Sequence, residues 1–116
     1  MRKFLKSFSY AIEGIKIGWR EERNFRIQFS IGAMVLLLAA FLHLSLTEWA
    51  LIAFAITLVL AAELANTATE EILDMLEKRH QHQVGKIKDV AAAAVLVFSL
   101  GALVIGFLVF SNHLIF

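Results

Sequence analysis

The sequence predicts an all-α membrane protein in which an N-terminal amphipathic surface helix is followed by three membrane-spanning helices. Three observations support this fold class. The chain has 116 residues, of which 59% are hydrophobic, and a chain this short cannot bury so much apolar surface inside itself. The apolar residues form blocks long enough to cross a bilayer. The chain has no proline, the residue that most often breaks long helices.

The first predicted element is an amphipathic helix over about residues 3–20. Its apolar side chains recur at steps of three and four residues, which places them in one stripe of a helix. The stripe consists of Phe4, Phe8, Ile12, Ile15 and Trp19. A helix that carries such a stripe and several lysines lies on a membrane surface, with the lysines near lipid phosphates. Packing of this helix on a partner chain is the alternative.

Three apolar segments follow the surface helix, and each is a candidate span of about 20 residues. They cover about residues 27–46, 49–70 and 90–110. The second segment stays apolar only from Trp49 to Ala62. It therefore crosses a bilayer only if the turns around Glu63 and Asn66 belong to the span. We expect residues 1–116 to form a single domain.

The basic residues predict the orientation of the chain in the membrane. All eleven Lys and Arg residues fall in residues 2–26 or 78–88, and none falls in 43–48 or 111–116. By the positive-inside rule, the N-terminus lies in the cytoplasm and the C-terminus lies outside. The chain has no cysteine, which excludes disulfides and thiolate metal sites.

A polar face interrupts the second apolar segment near its predicted cytoplasmic end. Glu63, Asn66, Glu70 and Asp74 fall within about 80° of arc on a helix that turns 100° per residue. Glu63 and Glu70 are separated by about 10 Å along the axis. Ionisable side chains at membrane depth are typical of functional sites, whereas adhesion between helices requires only Asn, Ser or Thr. A polar seam between helices remains the alternative for Glu63, and a solvated face remains the alternative for Asp74.

Two further charged clusters lie at the same predicted boundary. "WREERNFR" (19–26) contains Glu22, and "KIKDV" (86–90) contains Lys88 and Asp89. Carboxylates hold divalent cations and basic residues hold phosphate, so the clusters suit a phosphorylated ligand with bound Mg²⁺. A topology signal is the alternative for Lys88, and a helix N-terminal cap is the alternative for Asp89. The chain has no glycine-rich phosphate-binding loop of the soluble nucleotide-binding type.

Three stretches of this sequence resemble the small prokaryotic diacylglycerol kinases and their undecaprenol kinase relatives. They are "ERNFR" (22–26), "ELANTATEEILD" (63–74) and "GKIKDVAAAAVL" (85–96), and the resemblance runs from about Phe8 to Phe110. It implies a homotrimer of three-span protomers in the bacterial cytoplasmic membrane. It also implies that the γ-phosphoryl group of MgATP is transferred to the hydroxyl of a membrane lipid. "RNFRI" resembles the undecaprenol kinase branch, and Ala92 stands where the diacylglycerol kinases have serine, so undecaprenol is favoured over diacylglycerol.

The resemblance also implies roles for individual residues. Glu63 is expected to be the general base that accepts the lipid hydroxyl proton, and Asn66 is expected to order the site. Glu22 and Glu70 are expected to be the Mg²⁺ ligands. The residues expected to contact ATP or its metal ion are Lys3, Tyr10, Glu22, Glu70, Lys88 and Asp89. A nucleotide contact from the link at residues 79–81 stays open, and no nucleic-acid partner is expected.

A small oligomeric transporter that uses Glu63 as a coupling carboxylate is the alternative function. It predicts an acidic residue near the middle of the membrane. Counted along a helix, Glu63 lies about 24 Å from Thr47, close to the cytoplasmic side of a hydrocarbon core about 30 Å thick. A purely structural membrane oligomer would instead scatter its polar residues. Position therefore favours the lipid kinase.

Overall fold

The computed structural model describes residues 1–76, 78 and 81–114, and the regular secondary structure within these residues is helical. In chain order the helices are α1 (Arg2–Glu21), α2 (Arg23–Ala40), α3 (Leu46–Leu76) and α4 (Gln81–Leu114). The predicted all-α class is confirmed. Helix α1 extends one residue beyond each end of the predicted surface helix. Its apolar stripe is exposed in the single chain, from 72% for Phe4 to 42% for Ile12, as a face in contact with lipid or a partner would be.

One residue separates α1 from α2. Glu22 has extended backbone angles, φ −112° and ψ 107°, so the chain changes direction there. Trp19 packs edge-on against Phe29, with ring centroids 5.3 Å apart. Gly18 is so close to α3 that a Cβ atom there would lie 2.7 Å from Leu64 Cδ2. The end of α1 therefore packs against α2 through Trp19 and against α3 through Gly18.

Helices α3 and α4 are long and apolar enough to cross a membrane, and they are the two that meet this test among the described residues. They have 31 and 34 residues, so at about 1.5 Å per residue each exceeds a hydrocarbon core of about 30 Å. Helix α2 has 18 residues and includes Arg23 and Arg26. Its apolar part, residues 27–40, is only about 21 Å long. The three-span count and the homotrimer therefore stay predictions.

The helix ends differ from the limits of the apolar segments. The predicted first span reached residue 46, whereas α2 ends at Ala40 and residues 41–45 link it to α3. Helix α4 begins at Gln81, well before Val90, where the predicted third span starts. Asp89 thus lies about two turns inside α4, so its alternative role as an N-terminal cap is wrong.

A small apolar core joins α2, α3 and α4 at the end where α3 begins. Ala39, Leu44, Ile52 and Val109 are buried there. At the same end His113 Nε2 contacts Glu48 Oε1 at 2.9 Å. Glu48 also forms a capping box with Ser45: the Glu48 N–H donates to Ser45 Oγ, and the Ser45 N–H donates to Glu48 Oε1. The start of α3 is therefore held to the end of α4.

Gly32 marks the closest approach of α2 to α3, since a Cβ atom there would lie 2.9 Å from Ile56 Cγ2. The side chain of Ile56 is branched at Cβ and resists rotation, so Gly32→Ala is expected to separate the helices. We expect overpacking to reduce the free energy of unfolding by about 1–3 kcal/mol, measured by thermal unfolding in detergent. Gly101→Ala is the matched control, because a Cβ atom there meets nothing within 4 Å. Equal losses in the two variants would contradict this packing.

Candidate functional site

The acidic face of α3 passes from a buried to an exposed environment along the helix. Glu63 is 3% exposed, Asn66 and Glu70 are half-buried, and Asp74 is exposed. The Asn66 Nδ2 donates a hydrogen bond to Glu70 Oε1 at 3.2 Å. The helical spacing thus places these side chains on one face, as predicted, and a hydrogen bond links Asn66 to Glu70.

Among the described residues, Glu63 is the one charged residue that is buried. No hydrogen bond to its side-chain carboxylate is found in the part of the chain that the structure describes. Its backbone carbonyl accepts a hydrogen bond from the Thr67 hydroxyl at 3.0 Å. Burying an unpaired carboxylate is costly, so a role that uses the free carboxylate is favoured over a structural one within this chain.

One polar atom of the Asn66 side-chain amide has no hydrogen-bond partner among the described residues. Its Nδ2 is bonded to Glu70, but its Oδ1 is buried and has no hydrogen-bond partner. Buried polar atoms almost always have a partner. The unpartnered oxygen beside a carboxylate is thus suited to a donor group or a cation supplied by a ligand.

Glu22 joins this face from the break between α1 and α2. The charges of Glu63 and Glu70 lie within electrostatic range of Glu22. Burial raises the pKa of the Glu22 carboxyl above its usual value, and the negative charges of Glu70, Glu71 and Glu21 raise it further, while Arg26 opposes them. Carboxylates that repel one another in this way are stabilised by a cation bound between them.

The residues at this face have the chemistry of a magnesium site. Mg²⁺ prefers oxygen ligands and usually binds one or two carboxylates, together with water and substrate phosphates. Glu22 and Glu70 provide the carboxylates, and Asn66 Oδ1 is an additional free oxygen. No group of three His, Asp or Glu side chains that could hold a metal ion occurs among the described residues. Two carboxylates and an amide oxygen would leave positions around a metal ion for water and phosphate oxygens.

Helix α4 contributes Lys88, whose side chain reaches the exposed end of the acidic face. Lys88 Nζ donates to Asp74 Oδ1 at 2.6 Å, which places its ammonium group one turn of α3 beyond Glu70. Asp89 is exposed and borders an open cleft of about 480 Å³. The other residues that line this cleft are Gln81, His82, Gly85, Lys86 and Val90. The sequence analysis left open a nucleotide contact from residues 79–81. Of these, Arg79 and His80 lie outside the residues that the structure describes.

The single chain does not bring the two predicted surface-helix contacts to the acidic face. Tyr10 is 71% exposed, and it lies two turns before Gly18, where α1 meets α3. Lys3 is exposed near the start of α1. No contact between either side chain and the acidic face is found within residues 1–76, 78 and 81–114.

Two residues that shape the site were not singled out by their sequence pattern. Gly18 permits the close approach of α1 to Leu64, which adjoins Glu63. Arg26 donates from Nη1 to the carbonyls of Trp19 and Arg20. A basic residue near the C-terminus of a helix can cap its last carbonyls. The sequence predicted separate helices over 3–20 and 27–46, but it did not indicate that the break between them falls at Glu22.

Comparisons with known proteins show which family the chain resembles. A sequence model described as Prokaryotic diacylglycerol kinase matches residues 9–110, nearly the span over which the resemblance was predicted. An undecaprenol kinase of Bacillus subtilis is 36% identical over 95% of this chain and 89% of its own length. A diacylglycerol kinase of Synechocystis is 39% identical over 88% of this chain, which spans only 59% of that relative. A diacylglycerol kinase of Escherichia coli is 23% identical over 96% of this chain. The chain belongs to the prokaryotic diacylglycerol kinase family.

Proposed function

We propose that this protein is a membrane lipid kinase that transfers the γ-phosphoryl group of ATP to undecaprenol or diacylglycerol. The family and the names of the relatives support this activity. The observation that carries the mechanism is the buried carboxylate of Glu63, 3% exposed, within electrostatic range of Glu22 and Glu70. A carboxylate without a hydrogen-bond partner can accept the proton of a hydroxyl group, and the two outer carboxylates suit a cation.

In the proposed reaction the lipid hydroxyl oxygen attacks the γ-phosphorus, and the bond from that phosphorus to the bridging oxygen of ADP breaks. Glu63 accepts the hydroxyl proton. Glu22 and Glu70 would hold Mg²⁺, and the bound ion would neutralise charge on the phosphates. Asn66 holds Glu70 in place through its hydrogen bond, and Lys88 supplies positive charge to the phosphates. Phosphoryl transfer depends mainly on positioning and charge neutralisation, so these few residues suffice.

The proposed setting is the cytoplasmic face of a bacterial plasma membrane. The distribution of Lys and Arg supports a cytoplasmic N-terminus and an external C-terminus. We further propose that α2 forms the first of three spans and that the protein is a homotrimer. Lys3 and Tyr10, which lie away from the acidic face of their own chain, would then contact ATP at a site shared between neighbouring chains.

The choice of lipid rests on a small difference. The two relatives with similar identity to this chain are named for different substrates, so their names do not decide between them. We favour undecaprenol because of the "RNFRI" stretch and Ala92. For a transporter, the coupling carboxylate would be expected near mid-membrane, but Glu63 lies about 26 Å along α3 from its start at Leu46. No observation favours that alternative.

The proposed activity is tested with purified protein in lipid vesicles and MgATP labelled at the γ-phosphate. Undecaprenol and diacylglycerol are added separately, and vesicles without either alcohol are the control. We expect label in the lipid fraction with at least one alcohol, and more with undecaprenol. Absence of labelled lipid with both alcohols would refute the lipid kinase, and a preference for diacylglycerol would refute only the substrate assignment.

A further inference from the structure

Arg26, in the first turns of α2, reaches back across the break to α1. Its Nη1 donates to the carbonyl oxygen of Trp19 at 2.7 Å and to that of Arg20 at 3.1 Å. The last carbonyls of a helix have no partner within the helix, and positive charge is favourable at that end. The guanidinium of Arg26 therefore caps the C-terminus of α1 from the neighbouring helix.

This cap bridges Glu22, the one residue that links the two helices. The Glu22 N–H donates to the Gly18 carbonyl at 2.9 Å, and the Glu22 carbonyl accepts from the Arg26 N–H at 3.2 Å. The backbone of Glu22 is thus bound to α1 on one side and to α2 on the other. The side chain of Arg26 adds a second connection between the same two helices, which a large change of φ or ψ at Glu22 would break.

The hydrogen bonds of the guanidinium go to the backbone, and on the Glu22 carboxylate it acts only through its charge. No ion pair or hydrogen bond between Arg26 and the carboxylate oxygens of Glu22 occurs in the described part of the chain. A direct bidentate pair would occupy the oxygens that a cation needs. A cap on the preceding carbonyls instead holds the direction of the side chain and keeps its ligand atoms available.

We propose that Arg26 is a positioning residue, which clamps α1 to α2 and so orients the carboxylate of Glu22 towards Glu70 for metal binding. This inference rests on the proposed function, because it assumes that Glu22 binds Mg²⁺. Residues that orient metal ligands typically change metal affinity when they are replaced. The predicted consequence is a specific loss of Mg²⁺ affinity.

The test measures lipid phosphorylation against Mg²⁺ concentration for Arg26→Gln, Arg26→Lys, Arg23→Gln and Glu22→Gln. We expect Arg26→Gln to raise the half-saturating Mg²⁺ concentration by about 10-fold, within the range seen for residues that orient ligands, with the KM for the lipid alcohol unchanged. Arg26→Lys should lie between wild type and Arg26→Gln, because an ammonium group still donates to carbonyls but lacks the planar fork. Arg23→Gln removes the same charge from the same helix and is the matched control, with wild-type Mg²⁺ dependence expected.

Several outcomes would overturn the inference. Wild-type Mg²⁺ dependence in Arg26→Gln would do so, and so would a fall in the active fraction with the half-saturating Mg²⁺ concentration unchanged. If Arg26→Gln does not assemble, Arg26→Lys is judged by the same criterion. If Glu22→Gln has wild-type activity and Mg²⁺ dependence, the metal role of Glu22 in the proposed function fails. A strong defect in Glu22→Gln beside a normal Arg26→Gln refutes the role of Arg26 alone.

A distance measurement provides a second readout that does not depend on activity. The chain has no cysteine, so spin labels can be attached to Lys16→Cys on α1 and Met34→Cys on α2, at two exposed positions. We expect the distribution of label distances to broaden when Arg26→Gln is added and to stay narrow when Arg23→Gln is added. An unchanged distribution with Arg26→Gln would contradict the clamp.

Discussion

Glu63→Gln is expected to lower the kcat for lipid phosphorylation by about 10²–10⁴-fold, the usual contribution of a general base. Glutamine has nearly the same shape as glutamate but cannot accept the hydroxyl proton. Because Glu63 is 3% exposed and its carboxylate has no bonded partner among the described residues, the neutral side chain should not destabilise the fold. The measurements are steady-state rates in vesicles and the thermal unfolding temperature of each variant.

Glu71→Gln is the matched control for this prediction. Glu71 is on the same helix but is exposed, and we assign it no role in the reaction. Its variant should retain activity close to that of wild type. If Glu63→Gln instead retained activity, or lost it only in proportion to a loss of folded protein, Glu63 would be a structural residue that joins helices.

Glu70→Gln is expected to impair metal binding while leaving the proposed base in place. Replacing residues that only orient metal ligands already lowers affinity by about 10–100-fold, so loss of a ligand should raise the half-saturating Mg²⁺ concentration by at least about 100-fold. The Asn66 Nδ2 hydrogen bond to this side chain at 3.2 Å can still form with the glutamine oxygen. The local geometry of α3 should therefore persist, and the defect should be confined to the cation.

Binding of Mn²⁺ in the presence of ATP, followed by electron paramagnetic resonance, separates the two roles. Glu70→Gln should bind Mn²⁺–ATP weakly, whereas Glu63→Gln should bind it as wild type does. Equal affinity in both variants and wild type would mean that Glu70 is not a ligand. Weakened binding in Glu63→Gln would mean that Glu63 contributes to the metal site and not only to proton transfer.

The parts of the site that follow from local spacing could be predicted from the sequence. Glu63, Asn66 and Glu70 share a face because a helix turns by a constant angle per residue, and that face is present in α3. The depth in the membrane that we expect for Glu63 rests on local spacing too, because it is counted as a distance along an apolar helix. The apolar stripe of α1 was also a local property, and it remains exposed in the single chain.

The parts that depend on contacts between distant residues could not be predicted. The link at Glu22 contains neither glycine nor proline, so nothing in its composition marks a helix break. It is set by the packing of Gly18 on Leu64 and by the cap from Arg26. Similarly, the pairing of Lys88 with Asp74 requires α3 and α4 to be adjacent, whereas the sequence placed both residues only at the same boundary.

The helix ends differ from the limits of the predicted spans for a different reason. Hydropathy marks where a helix leaves the membrane and not where the helix stops. The polar turns beyond the apolar segments contain Glu, Lys and Gln, which are good helix formers, so α3 continues to Leu76 and α4 starts at Gln81. The acidic face and Lys88 are consequently carried on rigid helices rather than on loops.

The stereochemical course at phosphorus tests most directly whether Glu63 acts as a base in a single transfer. The substrate is ATP made chiral at the γ-phosphorus with oxygen isotopes, and the configuration of the phosphorylated lipid is determined. Direct attack by the lipid hydroxyl inverts the configuration, and we predict inversion. Retention would require two displacements through a phosphorylated side chain, and it would contradict the assignment of Glu63 as a general base in direct transfer.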